Sequence, residues 1–142
     1  MWCRLRTVSL LALLSLALGC GGEPSPRQSI YGKVTLDGEP VDEGVITFKP
    51  AAGTTGPVVG NSILEGEYEL EEGQGPVTGE WNVEISRMVQ GEERVVIIPG
   101  EEPDYVRVET IPPQYNKATT LKVTVKEGSN EHDFILTSQG GS

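Results

Sequence analysis

The sequence predicts an all-β fold, an antiparallel Greek-key β-sandwich of about seven short strands that follows an N-terminal signal segment. Three observations lead to this expectation. Apolar and polar residues alternate with a period of two in several short runs. No long window after Cys20 shows a convincing helical period. Eighteen glycines and ten prolines among 142 residues interrupt the chain, which favours short strands within one domain.

The first 19 residues have the features of a lipoprotein signal peptide. Arg4 and Arg6 supply a positively charged start. Residues 8–18 then form an apolar run of eleven residues. A helix of that length is too short to span a bilayer core of roughly 30 Å. The sequence therefore predicts export rather than a membrane span.

The apolar run ends in the sequence LALGC at residues 16–20, which resembles a bacterial lipobox. The resemblance implies that the Cys20 thiol takes up a diacylglycerol as a thioether and that the signal is then removed. The usual pattern has Leu three residues before the cysteine and a small residue two before, so Ala17 and Leu18 are exchanged here. The alternative is an ordinary secretory signal that is cut between residues 19 and 22. We expect the acylated Cys20 to begin a flexible, Gly- and Pro-containing tether over residues 20–28.

Charge limits the classes of partner. The formal net charge is −10, and removal of residues 1–19 would leave nine Lys and Arg against 21 Asp and Glu, a charge of −12. A surface this negative repels phosphate backbones, so we expect no nucleic-acid partner. The two cysteines are Cys3, which would leave with the signal, and Cys20. The exported domain would then have no disulfide and would depend on packing alone.

The predicted strands lie within residues 29–138. Ile30, Gly32, Val34 and Leu36 alternate on one face, and Asp37-Gly38 is typical of a tight hairpin turn. Further strands are predicted at residues 45–49, 62–64, 68–70, 81–85, 121–125 and 133–136. Residues 139–142 are predicted to form a flexible tail.

Residues 86–114 form the longest insertion between predicted strands, and we expect it to be irregular. It contains an apolar run at residues 95–98, which could form a strand, and an acidic, proline-containing loop at 99–104. Long loops often have a function. Tyr105 lies in the insertion and Tyr115 follows it, so both are candidates for exposed side chains of an interaction surface, including stacking on sugar rings. Trp81 is expected in the core because it shares the apolar face of its strand.

No set of residues indicates catalysis. His132 is the one histidine, and no arrangement of Ser or Cys accompanies it. Zinc is disfavoured because the chain has no second His and no CxxC motif. Two acidic clusters raise the possibility of calcium, although neither has the spacing of a known calcium loop. They are Asp37, Glu39, Asp42 and Glu43 in the first, and Glu101, Glu102 and Asp104 in the second.

Several stretches together resemble carboxypeptidase regulatory-like domains, which have a transthyretin-like (prealbumin-like) sandwich. These are YGKVTLDGEP at 31–40, GVITFKP at 44–50, GEYEL at 66–70 and PVTGEWNV at 76–83. IPPQYN at 111–116, TLKVTV at 120–125 and residues 130–136 resemble the C-terminal part of small lipoproteins that are abundant in planctomycetes. The resemblance covers nearly all of residues 29–138 and implies a fold and a compartment, but no activity.

Taken together, the sequence predicts a non-enzymatic protein of the cell envelope, held by the lipid on Cys20 at the outer membrane or facing the periplasm. Its sandwich would serve as a structural or protein-interaction module for an unidentified envelope partner. The alternative is a carbohydrate- or calcium-binding accessory domain at the cell surface. No cofactor is expected, and the insertion at 86–114 is the predicted contact surface.

Overall fold

The computed structural model describes residues 26–94 and 104–139, and within these ranges the chain is all-β with mainly antiparallel sheets. The signal segment, Cys20, most of the tether, residues 95–103 and residues 140–142 lie outside the described residues. A single 3₁₀ turn, Pro113–Tyr115, is the helical element in the described part. The strands are β1 (Ser29–Leu36), β2 (Glu39–Pro40), β3 (Gly44–Pro50), β4 (Val59–Ile63), β5 (Glu67–Leu70), β6 (Gly79–Ser86), β7 (Met88–Arg94), β8 (Asp104–Glu109), β9 (Lys122–Val125), β10 (Ser129–Glu131) and β11 (Phe134–Leu136).

The first sheet is built around β1. Strands β5 and β2 pair with β1 antiparallel, over its first and last parts respectively. Strands β10 and β11 pair with β1 in parallel. This parallel pairing differs from the expectation of a wholly antiparallel sandwich. Parallel neighbours need a long crossover, and here the whole intervening domain supplies it.

The second sheet has the order β4-β3-β6-β9 and is antiparallel throughout. A separate two-stranded sheet consists of β7 and β8. No helix within residues 26–94 and 104–139 is both long and apolar enough to cross a bilayer.

The core lies between the first two sheets, which is consistent with a β-sandwich. Trp81, Val83 and Ile85 on β6 are all fully buried, as their alternation predicts. They join one cluster with the inward residues of β1, β3, β5, β9 and β11. Tyr68 of β5 connects the layers, because its ring centroid lies 6.1 Å from that of Phe48 on β3 and 6.0 Å from that of Phe134 on β11.

Two tight turns follow directly from residue type. Asp37 and Gly38 have φ of 52° and 86°, and Glu65 and Gly66 have φ of 52° and 80°. Two successive positive φ values match the twist of a two-residue hairpin turn, and Gly adopts the second without strain. The predicted turn at Asp37-Gly38 is therefore confirmed.

The strand count differs from the expected seven, since the described residues contain eleven strands. All seven predicted strands are present within these. The additional ones are the two-residue β2, the ribbon β7–β8, and β10, for which no strand was predicted. Residues 132–133 separate β10 from β11, although both strands follow the same edge of β1. The break lies beside Gly32, where the two backbones approach so closely that a Cβ would collide with the carbonyl of His132.

Candidate functional site

The insertion at 86–114 is not irregular in its described part, and that expectation was wrong. Strands β7 and β8 form an antiparallel ribbon, with Val89 opposite Val108 and a β-bulge between Gln90 and Glu93. The apolar run at 95–98 and the acidic residues Glu101 and Glu102 lie outside the described residues. The alternation of apolar and polar residues from Tyr105 to Val108 was the available signal for β8. Strand β7 has few apolar residues, so its sequence shows no such alternation.

The ribbon is fixed to the sandwich at its base. The Glu109 carboxylate Oε1 accepts hydrogen bonds from the backbone N of Arg87 at 2.9 Å and of Ile111 at 2.8 Å. The Thr110 backbone N donates to the Arg87 carbonyl at 3.0 Å. The Ile111 side chain is buried in the core directly afterwards. Beyond this base, the principal contacts of β7 and β8 are with each other.

The ribbon exposes apolar side chains on both of its faces. Val106 and Val108 are 40% and 44% exposed, and strand alternation places them on the same face as Val89. Val108 also covers position 91, where a Cβ would meet its Cγ2 at 2.6 Å, so a larger residue than Gly91 would force the two strands to adjust. The opposite face has Met88 and Tyr105, which are 50% and 43% exposed. Apolar residues this exposed, on a strand pair that no other described strand covers, are typical of a contact surface.

The two predicted interaction tyrosines lie in different environments. Tyr105 is on β8 with an exposed ring. Tyr115 is at the end of the 3₁₀ turn, partly buried and packed against the core. Hydrogen bonds with Thr137 and Gln114 lower the pKa of the Tyr115 hydroxyl, and that hydroxyl accepts from the Thr137 backbone N at 3.2 Å. Tyr115 therefore helps to attach the turn to the end of β11, which its sequence position did not indicate.

The acidic turn of the first predicted calcium cluster serves local structure. The Asp37 carboxylate accepts from the Ser138 backbone N at 2.9 Å, and the hydrogen bonds from Ser138 lower the pKa of Asp37. The Asp42 Oδ1 accepts from the backbone N of Glu43 at 3.0 Å and of Glu65 at 2.9 Å. Within the residues that the structure describes, no group of three or more acidic, His or Cys side chains could hold a metal ion.

His132 acts through its backbone. Its carbonyl accepts from the Tyr68 hydroxyl at 2.8 Å, and its backbone N donates to the Tyr31 carbonyl at 2.9 Å. Burial raises the pKa of Tyr68, and the negative charge of the neighbouring Asp133 raises it further. Asp133 in turn accepts from the Lys33 backbone N at 2.8 Å. The segment between β10 and β11 is thus a well-bonded structural break.

A cleft that the sequence did not indicate lies beside β4 and β5, and we call it the β4–β5 groove. It is open to solvent and has a volume of about 820 Å³. Its lining includes Tyr31 and Lys33 of β1, Asn61 and Ser62 of β4, and Leu64 before the turn. Five carboxylates also line it, namely Glu67, Glu69, Glu71, Glu131 and Asp133. They were missed because each appears in the sequence as an ordinary polar residue of a strand or turn, and only the fold brings them together.

The ribbon and the N-terminal side of the domain lie at opposite ends of β6. Arg27 pairs with Val77, just before β6 begins, and its guanidinium donates to the carbonyls of Gln74 and Gly75. The ribbon begins at Met88, just after β6 ends at Ser86. Eight strand residues at about 3.3 Å each separate these points by about 25 Å.

No protein-family model matches this sequence, and no curated protein matches it. Among solved structures, the chain aligns with a 9R-lipoxygenase from Cyanothece PCC8801 at 12% sequence identity and a TM-score of 0.34. The alignment covers 79% of this chain and 16% of the lipoxygenase chain.

Proposed function

We propose that this protein is a lipid-anchored, non-enzymatic protein of the cell envelope whose domain binds another envelope protein through the β7–β8 ribbon. The anchor would be the acylated Cys20. The body would be a Greek-key sandwich of the transthyretin-like, carboxypeptidase regulatory-like type. Support for the fold comes from the alternating strands, the order of their turns and the single core between two sheets.

The observation that carries the proposal is the exposed apolar surface of the ribbon. An isolated two-stranded ribbon is at best marginally stable in water. Here the four exposed apolar side chains Met88, Tyr105, Val106 and Val108 remain 40 to 50% accessible. Burying the exposed surface of each valine against a partner would contribute about 1 kcal/mol to the binding free energy, at roughly 25 cal/mol per Å² of apolar surface. A partner that packs on the ribbon would therefore stabilise both the complex and the ribbon.

The position of the ribbon is consistent with this role. An anchor at Cys20 leads into the domain at Arg27, whereas the ribbon begins about 25 Å away at the other end of β6. The ribbon would therefore be presented away from the anchoring membrane. The net charge of −10 disfavours a nucleic-acid partner.

A paired substitution tests the ribbon. Val106→Ser with Val108→Ser removes apolar surface from the ribbon, and the control Val45→Ser with Ile135→Ser removes exposed apolar surface elsewhere, where these residues are 50% and 79% accessible. Both proteins are purified from solubilised membranes, and their co-purifying proteins are quantified. We expect the ribbon variant to lose a partner that the wild type and the control retain. Equal recovery by all three would refute the ribbon as the contact surface.

The anchor is tested separately by mass spectrometry of the mature N-terminus. An acylated Cys20 at that terminus, and release or stalling of Cys20→Ser as a precursor, are the expected results. An unmodified N-terminus between residues 19 and 22 would instead identify an ordinary secreted domain, because signal removal would then not require the thiol.

A further inference from the structure

The β4–β5 groove lies between two strands that belong to different sheets. Strands β4 and β5 are joined by the turn at Glu65-Gly66, and the pair Leu64–Glu67 closes this turn with two backbone hydrogen bonds of 2.9 and 3.0 Å. Beyond that pair, β4 pairs with β3 and β5 pairs with β1. Among the described strands, each is outermost on its side of its sheet. Two strand edges therefore face each other across the groove.

One side chain bridges these two edges. The Asn61 carboxamide accepts from the Ser62 backbone N of β4 at 2.9 Å and donates to the Glu69 carbonyl of β5 at 2.6 Å. A carboxamide has the same acceptor and donor groups as a peptide bond. At Ser62 and Glu69 the two edges are therefore bridged by one amide group, in the place that a backbone amide of an added peptide could take. Both hydrogen bonds are exposed, so another amide can replace them.

The charges along the groove favour a cationic ligand of extended shape. Glu67 and Glu69 occupy alternate positions of β5, at a repeat of about 7 Å, and Glu71 directly follows the strand in the same alternation. Alternate side chains of a neighbouring extended peptide have the same repeat, so oppositely charged residues can pair directly across the strands. Glu131 and Asp133 add two further carboxylates, and Lys33 is the one cation in the described lining, 3.7 Å from Glu67.

This distribution does not suit a single metal ion, since the acidic side chains that the structure describes form no metal-binding group. Apolar contacts are also available, because Tyr31 is 38% and Leu64 is 62% exposed. The methylene stems of Lys or Arg can pack on such side chains while their charged ends reach the carboxylates.

We propose that the β4–β5 groove binds an extended, basic peptide segment of a partner protein by strand addition. The backbone of the peptide replaces the Asn61 bridge between Ser62 and Glu69. Its Lys or Arg residues, at alternate positions, pair with Glu69 and Glu71, which lie beyond the closed Leu64–Glu67 pair. This site is separate from the ribbon and does not depend on it.

The test uses three synthetic peptides as probes on the full processed chain. The first is Lys-Val-Lys-Val-Lys-Val-Lys, the second has Glu in place of every Lys, and the third has Pro in place of the central Val. We expect only the first to bind, because the second is repelled and the third lacks a backbone donor. Equal binding of the proline peptide would refute strand addition and indicate charge attraction alone. Absence of binding by the first peptide would overturn the proposal.

Matched variants locate the site. Glu69→Lys with Glu71→Lys should weaken binding of the first peptide about tenfold, since two attractions become repulsions. The control Glu39→Lys with Glu127→Lys makes the same change of charge at exposed positions outside the groove and should have a smaller effect. An equal loss in both variants would overturn the assignment to this groove.

Asn61→Ala gives the sharpest result. If the Asn61 amide occupies the place of the peptide backbone, its removal frees the Ser62 N and the Glu69 carbonyl and should tighten binding severalfold. Chemical-shift changes at the amides of Gly60, Ser62 and Glu69 should accompany binding. Weaker binding by Asn61→Ala would contradict the replacement mechanism, because Asn61 would then contact the bound peptide rather than occupy the place of its backbone.

Discussion

Replacing Tyr68 by Phe removes one hydroxyl group that links β5 to the segment between β10 and β11 within the first sheet. The hydroxyl donates to the His132 carbonyl at 2.8 Å, while the ring packs between Phe48 and Phe134. A phenyl ring keeps those ring contacts, so the change isolates the hydrogen bond. We expect Tyr68→Phe to lower the free energy of unfolding at neutral pH by about 1 to 2 kcal/mol, the cost of leaving a partly buried acceptor without its donor.

The same variant should respond differently to alkaline pH. Burial, with a smaller contribution from Asp133, raises the pKa of Tyr68 above the value of about 10 for an unfolded tyrosine. A group with a raised folded pKa contributes stability that is complete below the unfolded pKa and is lost as pH rises above it. Between about pH 9 and 11 the unfolded wild type releases this proton and the folded protein keeps it. The stability of the wild type should therefore fall by about 1.4 kcal/mol relative to Tyr68→Phe.

Denaturant titrations of both proteins, followed by the fluorescence of the buried Trp81, measure these differences. Other groups that titrate in this range are common to both proteins and cancel in the comparison. Tyr31→Phe is the control, because it removes a hydroxyl from a side chain that is 38% exposed. The reasoning fails if Tyr31→Phe costs as much at neutral pH as Tyr68→Phe. It also fails if the wild type keeps its full advantage over Tyr68→Phe above pH 10.

Three further predictions concern contacts that hold the domain together. Gly32→Ala should lower the free energy of unfolding by about 1 to 3 kcal/mol in a urea titration, because its Cβ would collide with the His132 carbonyl; an unchanged midpoint would contradict this. Asn130→Ala should lower the free energy of unfolding by about 2 kcal/mol, since the buried amide accepts from the Lys126 N and donates to three backbone carbonyls. If it lowers the free energy of unfolding less than Asn61→Ala, which removes an exposed amide, this prediction is wrong. Asp37→Asn should lower the free energy of unfolding at neutral pH, and this difference from the wild type should shrink as pH falls. The lowered pKa of Asp37 gives stability that is present above the unfolded value of 3.8 and lost as pH falls below it. A difference that stays constant down to pH 3 would exclude a contribution from its charge.

The strands were predicted from the alternation of apolar and polar residues, and this pattern is present where a strand has one buried and one exposed face. Trp81 was assigned to the core on this basis, and it is fully buried together with Val83 and Ile85 on the same face of its strand. Asp37-Gly38 was identified as a tight turn because few residues adopt two successive positive φ values. These features depend on local sequence, so one chain is enough to find them.

The parts that were not predicted depend on contacts distant in sequence. The parallel pairing of β1 with β10 and β11 joins residues about 100 positions apart, as the bond from the Lys33 N to Asp133 illustrates. Strand β7 lacks a buried face and therefore lacks alternation. The groove arises from the divergence of β4 and β5 into different sheets, and nothing local to Asn61 or Glu69 indicates it.

The two proposed surfaces recognise different chemistry, and their positions allow both to be used together. The ribbon begins beyond Ser86, at the end of β6 far from Arg27, and offers apolar side chains. The groove follows β5 from Glu67 toward Gln74, whose carbonyl accepts from the Arg27 guanidinium. One end of the groove is therefore close to the point where the anchored tether would join the domain, and the other is close to the turn at Glu65-Gly66. A basic peptide in the groove would be attracted by charge and so be sensitive to salt, whereas a partner on the ribbon would be held by apolar burial that salt does not screen. Measuring both interactions at low and high ionic strength therefore separates them without any substitution: only the binding of the Lys-Val peptide should weaken as salt is raised.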